Sequence, residues 1–143
     1  MRRMLLTMTA LLLTPLSAAA GDLSPGLWEI SMETRVPASP DFAPPPFHRT
    51  QCLRSEDARD PTSLLGDIST AGATGCSYSD KTYSGNTFSF TMQCSGTYGL
   101  QSRGQVSYSA ETVEGRITST ANLGGGAAVQ TENTLSARRI GGC

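Results

Sequence analysis

Among its 143 residues the chain has one histidine, His48, and one tryptophan, Trp28. With a single imidazole, a hydrolytic triad has one possible base. A zinc site likewise has one nitrogen ligand to add to the four cysteines, no two of which are spaced CxxC. No GxSxG elbow occurs. The run Gly124-Gly125-Gly126 lacks the Lys-Ser/Thr end of a phosphate loop and reads as a flexible turn. Charged residues make up 16% of the chain and are scattered, which disfavours nucleic acid or an anionic membrane as partner. The composition calls for no cofactor and no metal.

The first twenty residues stand apart. Met1-Arg2-Arg3 precedes an apolar stretch from Met4 to Leu16, and Ser17-Ala18-Ala19-Ala20 leads to Gly21. These are the parts of a secretory signal peptide. The apolar stretch is short of the roughly 20 residues that a spanning helix needs, so no membrane anchor is expected there. Cleavage after Ala20 leaves residues 21–143 as one exported domain. It removes two of eleven basic residues and none of twelve acidic ones, so nine face twelve and the net charge is near −3. An even number of cysteines in an exported chain points to disulfides.

Period-2 patterning dominates the exported domain. Trp28, Ile30, Met32, Thr34 and Val36 fall on one side of a segment whose other side carries Glu29, Ser31, Glu33 and Arg35, the mark of a half-buried strand. From Pro37 to Pro46 five of ten residues are proline, which predicts a semi-rigid loop. Order resumes near His48 to Leu53. Ser55, followed by Glu56 and Asp57, predicts a short helix that Pro61 stops.

Cys76 to Cys94 permits a register test. With Ser84-Gly85-Asn86 as a three-residue hairpin loop, Cys76 faces Cys94, and Tyr78, Phe88, Phe90 and Met92 share their face. Asp80 then opposes Phe90 near the rim. A second hairpin pairs Gln105–Tyr108 with Val113–Ile117 through residues 109–112, putting Val106, Tyr108, Val113 and Ile117 on one face. A last extended run from Ala128 to Ile140 points Val129, Leu135 and Ala137 inward. Of three possible connectivities the register favours Cys76–Cys94, which leaves Cys52 to tie down the terminal Cys143. The fold class is mainly β: a curved antiparallel sheet of six or seven strands, a half-barrel or small barrel, with one short helix and two disulfides.

Several of these motifs occur in order. They are Pro25-Gly26-Leu27-Trp28-Glu29, Cys52-Leu53 before an acidic turn, and Cys76 with the hairpin to Cys94-Ser95-Gly96. Gly104 with Tyr108-Ser109 comes next, and Arg139-Ile140-Gly141-Gly142-Cys143 ends the set. In these the chain resembles the bacterial domain of unknown function 3617 family over nearly all of residues 21–143. The resemblance implies a periplasmic protein with the same four-cysteine layout and implies no activity. The Pro-rich loop and the Gly124 to Gly126 run depart from the family pattern.

The candidate chemistry is thin. His48 follows the Pro-rich loop, a poor platform for a catalytic base. The carboxylate pairs Glu29 with Glu33 and Glu111 with Glu114 lie on an outer face or beside a turn. Trp28, Tyr78, Phe88, Phe90 and Tyr108 form the candidate ligand pocket, the same aromatics serving equally as core. The reading is a non-enzymatic binding module for a small apolar molecule or an extended peptide. A second is an envelope assembly or stress factor acting on an envelope protein through residues 37–47 or a sheet edge. A hydrolase is third.

Overall fold

The computed structural model describes residues 22–65, 75–96, 99–122 and 126–143. The expected signal peptide at 1–20, and Gly124 and Gly125, lie outside the described residues. Seven strands form: β1 (Gly26–Arg35), β2 (Phe47–Leu53), β3 (Cys76–Ser84), β4 (Thr87–Cys94), β5 (Gln101–Tyr108), β6 (Thr112–Asn122) and β7 (Ala128–Gly141). They make one antiparallel sheet in the order β2-β1-β7-β6-β5-β4-β3. From β3 to β7 the chain meanders strand by strand, and β7 returns beside β1 with Ile30 opposite Ala137. The two edges, β2 and β3, do not pair, so the sheet is open.

The sheet is nevertheless curled. Adjacent strands sit about 4.8 Å apart, so a flat sheet of this order would hold its edges about 29 Å apart. Residues 54–60 are gathered into turns, the Arg54 carbonyl accepting from the Asp57 and Ala58 N–H groups and the Asp57 carbonyl from Asp60. This compact segment still carries the chain from the end of β2 to Asp60, whose Oδ1 accepts from Tyr83 Oη on β3 at 3.2 Å. Only a curled sheet brings its edges within that reach.

Residues 54–65 therefore form a strap across the inner face, where Ala58, Leu64 and Leu65 join the core of Trp28, Ile30, Phe88, Val106 and Leu135. The helical element in the strap differs from expectation. Ser55 to Arg59 is a run of turns, and the one helical piece among the described residues is a 3-10 turn at Pro61–Leu64. Asp60 caps it, accepting the Thr62 N–H at 3.0 Å. Proline at the first helical position costs no hydrogen bond and its φ is preset, so Pro61 starts the turn that it was expected to stop.

The β3–β4 hairpin has the expected pairing at its base, Cys76 opposite Cys94 and Tyr78 opposite Met92, and departs from it nearer the turn. The loop is two residues, Gly85-Asn86, with Gly85 at φ +60° and no positive φ at Asn86. That is the pattern of a type II′ turn, whose twist suits a hairpin. A shorter loop shifts the register by one, and a bulge at Ser79 absorbs the shift, so Asp80 opposes Thr91 and Lys81 opposes Phe90. Asp80 thereby moves to the outer face, while Lys81 and Tyr83 join Tyr78 on the inner one. The second hairpin has its expected register, Tyr108 opposite Val113. Both expected disulfides are present, Cys52–Cys143 and Cys76–Cys94.

Candidate functional site

Side chains of the inner face fall into rows that cross the sheet, and the rows change character from one end to the other. At the strap end, Ile30, Ala137, Val113 and Tyr108 make one row, and Met32, Leu135, Gly115, Val106, Phe88 and Tyr83 the next. Trp28, Ile30, Phe88, Val106 and Val113 are all 0% exposed. The indole N–H of Trp28 donates to the Ser24 carbonyl at 3.0 Å, which satisfies the one polar group this side chain brings into the core. Ser24 N–H donates in turn to the Ala110 carbonyl, and Leu23 N–H to that of Ala58. This end is sealed.

Its seal includes a latch. Asp60 Oδ1 receives both the Thr62 N–H and the Tyr83 hydroxyl. Burial raises the Asp60 carboxyl, but hydrogen bonds from the Thr62 side chain and backbone and from Tyr83, with the Lys81 charge, outweigh it and leave the pKa below the usual value. Burial first, then the Asp60 charge and its hydrogen bond, push the Tyr83 phenol up to about 12.

Toward the other end the rows turn polar. Thr34, Asn133, Ile117, Gly104 and Phe90 form a boundary row, with the Phe90 ring lying where a side chain at position 104 would go. Beyond it runs Thr131, Ser119, Ser102, Met92 and Tyr78, and then Val129, Ala121 and the Cys94–Cys76 bridge. Thr34 Oγ1 donates to Asn133 Oδ1 at 2.7 Å, and Asn133 Nδ2 donates to the Ile117 carbonyl at 3.1 Å and to Thr131 Oγ1 at 3.3 Å. The Ser102 and Ser119 hydroxyls meet at 2.8 Å. Each hydroxyl has one proton to give. Thr131 accepts, and one serine of the pair accepts, so two hydroxyl donors of this band remain unspent among the described residues. Ser102 is buried, whereas Ser119, Thr131 and Tyr78 are partly open.

The five aromatics expected to share a pocket all face inward, but they do not form one group. Tyr78, Phe88 and Phe90 make a ring cluster, with Tyr78 edge-on to Phe90 at 5.6 Å and Phe88 stacked on Phe90 at 5.4 Å. Tyr83 extends it, 4.8 Å from Phe88, and Lys81 Nζ sits 4.5 Å from the Tyr78 ring centre. Tyr108 is buried beside the β3–β4 turn, its N–H on the Asn86 carbonyl. Trp28 lies on the far side, on β1, as an anchor of the sealed end. Patterning alone could not separate them, because alternation names a face and not a position along it.

On the outer face Glu29 accepts from Arg138 at 3.1 Å and Glu132 from Arg35 at 2.6 Å. His48 is exposed on β2 opposite Ser31, and among the described residues its imidazole makes no hydrogen bond or ion pair. Among the described residues no group of three His, Cys, Asp or Glu gathers to hold a metal. No helix among the described residues is long and apolar enough to cross a membrane.

A family model described as a protein of unknown function (DUF3617) matches residues 23–143, and the chain belongs to that family. No curated protein and no solved structure matches. The first and last of the motifs that carry the resemblance meet, with Cys52, at the sealed end. Arg139 Nε donates to the Pro25 carbonyl at 2.8 Å. Gly26, at φ +144°, leaves no room for a Cβ against the Gly141 carbonyl and the Arg139 guanidinium. Leu27 sits between Cys52 on β2 and Gly141 on β7, and Cys143 bridges back to Cys52. The opening and closing motifs are thus two halves of one clasp that joins β2, β1 and β7.

Proposed function

We propose that this DUF3617 member is an exported, periplasmic, non-enzymatic binding module, and that the open end of its inner face takes a small, mainly apolar ligand. The observation that carries this reading is the contrast along one face. The strap end is filled and sealed, while in the row of Tyr78, Met92, Ser102, Ser119 and Thr131 the buried Met92 and Ser102 are flanked by partly open Tyr78, Ser119 and Thr131, and Thr131 and one serine of the pair keep an unspent hydroxyl donor. Apolar walls with a few convergent polar groups describe a small-molecule site. The paired cysteines and the leader-like sequence of residues 1–20 support export.

Native mass spectrometry of protein purified from the periplasm, followed by lipid extraction, tests the proposal. A reproducible bound small molecule, reduced in a Thr131→Val variant, is expected. An empty protein that captures another envelope protein through crosslinkers at residues 37–47 would replace this reading with a contact function. Phe42 and Phe47, 60% and 40% exposed, favour that second reading.

A further inference from the structure

The geometry points to a second site, on the outer face, where Arg103 of β5 and Arg116 of β6 take the phosphate of a phosphorylated saccharide. These residues are diagonal neighbours, since Arg103 opposes Thr118 and Gln105 opposes Arg116. Diagonal positions lie about 7 to 8 Å apart, within reach of long side chains. Two like charges so placed repel each other unless something neutralises them. Elsewhere on this sheet the arginines are partnered: Arg35 has Glu132, Arg138 has Glu29, and Arg139 has the Pro25 carbonyl. The side chains of Arg103 and Arg116 make no ion pair or hydrogen bond among the described residues. Glu114, two positions along β6 from Arg116, makes none with it.

Both arginines line one groove of about 600 Å³, together with Asp80, Ser89, Thr91 and Gln105. Paired guanidinium groups match the oxygens of a phosphate, with bidentate, charge-assisted hydrogen bonds. The other groups decide the rest of the ligand. A bare anion has no use for Asp80, which repels it. A saccharide hydroxyl donates to that carboxylate, and Ser89, Thr91 and Gln105 both give and accept. Asp80 lines this groove because the Ser79 bulge turns it outward. The site shares none of these side chains with the inner-face reading.

Titration of the oxidised protein with glucose 6-phosphate, inorganic phosphate and glucose, followed by amide NMR shifts, tests the assignment. Glucose 6-phosphate should move the signals of residues 80, 89–91, 103–105 and 116–118 saturably. Arg103→Gln and Arg116→Gln should each weaken it at least about tenfold, with Arg→Lys intermediate. Asp80→Ala should weaken the sugar phosphate and leave inorganic phosphate no weaker. Inorganic phosphate binding as tightly as glucose 6-phosphate would overturn the saccharide assignment. Absent shifts at these residues, or affinity unchanged in both glutamine variants, would overturn the site.

Discussion

The two ends of the inner face put the same strands to different uses. Where the strap crosses, large apolar side chains from β1, β4, β5, β6 and β7 interlock and exclude solvent. Two rows further along, the same strands present Thr131, Ser119 and Ser102 beside Met92, with the half-open Tyr78 of β3 next to Met92. One sheet thus supplies both a core and a polar-edged, partly open surface. Stability is concentrated at the first, and the second is where the proposed ligand would lie. The two disulfides divide in the same way, Cys52–Cys143 closing the clasp and Cys76–Cys94 holding the open corner of β3 and β4.

Damage at the sealed end should unfold the protein. Trp28→Ala is the most severe single change, costing about 5 kcal/mol, the upper end for an aromatic truncation. It leaves the Ser24 carbonyl without its indole partner and the strap without its floor. Urea unfolding monitored by circular dichroism checks this, and a loss below about 1 kcal/mol would break the comparison.

The bridges should rank in order of the loops they close. Replacing both Cys52 and Cys143 with Ser should cost about 4 kcal/mol, and the same change at Cys76 and Cys94 about 3. Their sequence separations are 91 and 18. The first pair should loosen the sealed end, whereas the second should leave it protected and free the β3 edge, as amide exchange would show.

The latch makes a smaller, pH-dependent contribution. Asp60 sits below its ordinary value in the folded chain, so its contribution is complete above about pH 4 and is lost as pH falls through the lowered value. Tyr83 is raised, so its contribution is complete below about pH 10 and is lost as pH rises toward about 12. Tyr83→Phe should cost about 1 kcal/mol at neutral pH, because the ring is half exposed and its packing on Phe88 is kept. It should also flatten the alkaline loss of stability. A variant as alkali-sensitive as the parent would remove the latch from the account.

How much of this fold is legible in the sequence depends on the range of the interactions. The inner register of the β3–β4 hairpin is legible because two constraints, the sulfurs and the apolar alternation, agree over a few residues. The Ser79 bulge is not, because it depends on whether Gly85 opens a two-residue or a three-residue loop, and Ser84-Gly85-Asn86 permits either. The strap turn is misplaced by local signals because Ser55 and Asp60 both suit a helix N-terminus, and only the position of Pro61 next to Asp60 settles which one caps. The polar row is invisible in sequence: Tyr78 and Thr131 meet in one row only after four successive strand pairings. The family motifs are visible at once, but that Gly26 and Gly141 touch is a contact across 115 residues that no local pattern encodes.

The central claim, that the open end binds and the sealed end only supports, is tested most directly by hydrogen–deuterium exchange on protein as purified from the periplasm and after delipidation. Delipidation should raise exchange in residues 76–78, 92–94, 100–102, 119–121 and 129–133. Residues 28–30, 106–108, 113–115 and 135–137 should stay equally protected in both. A change confined to the second set, or the same exchange everywhere before and after, would contradict it.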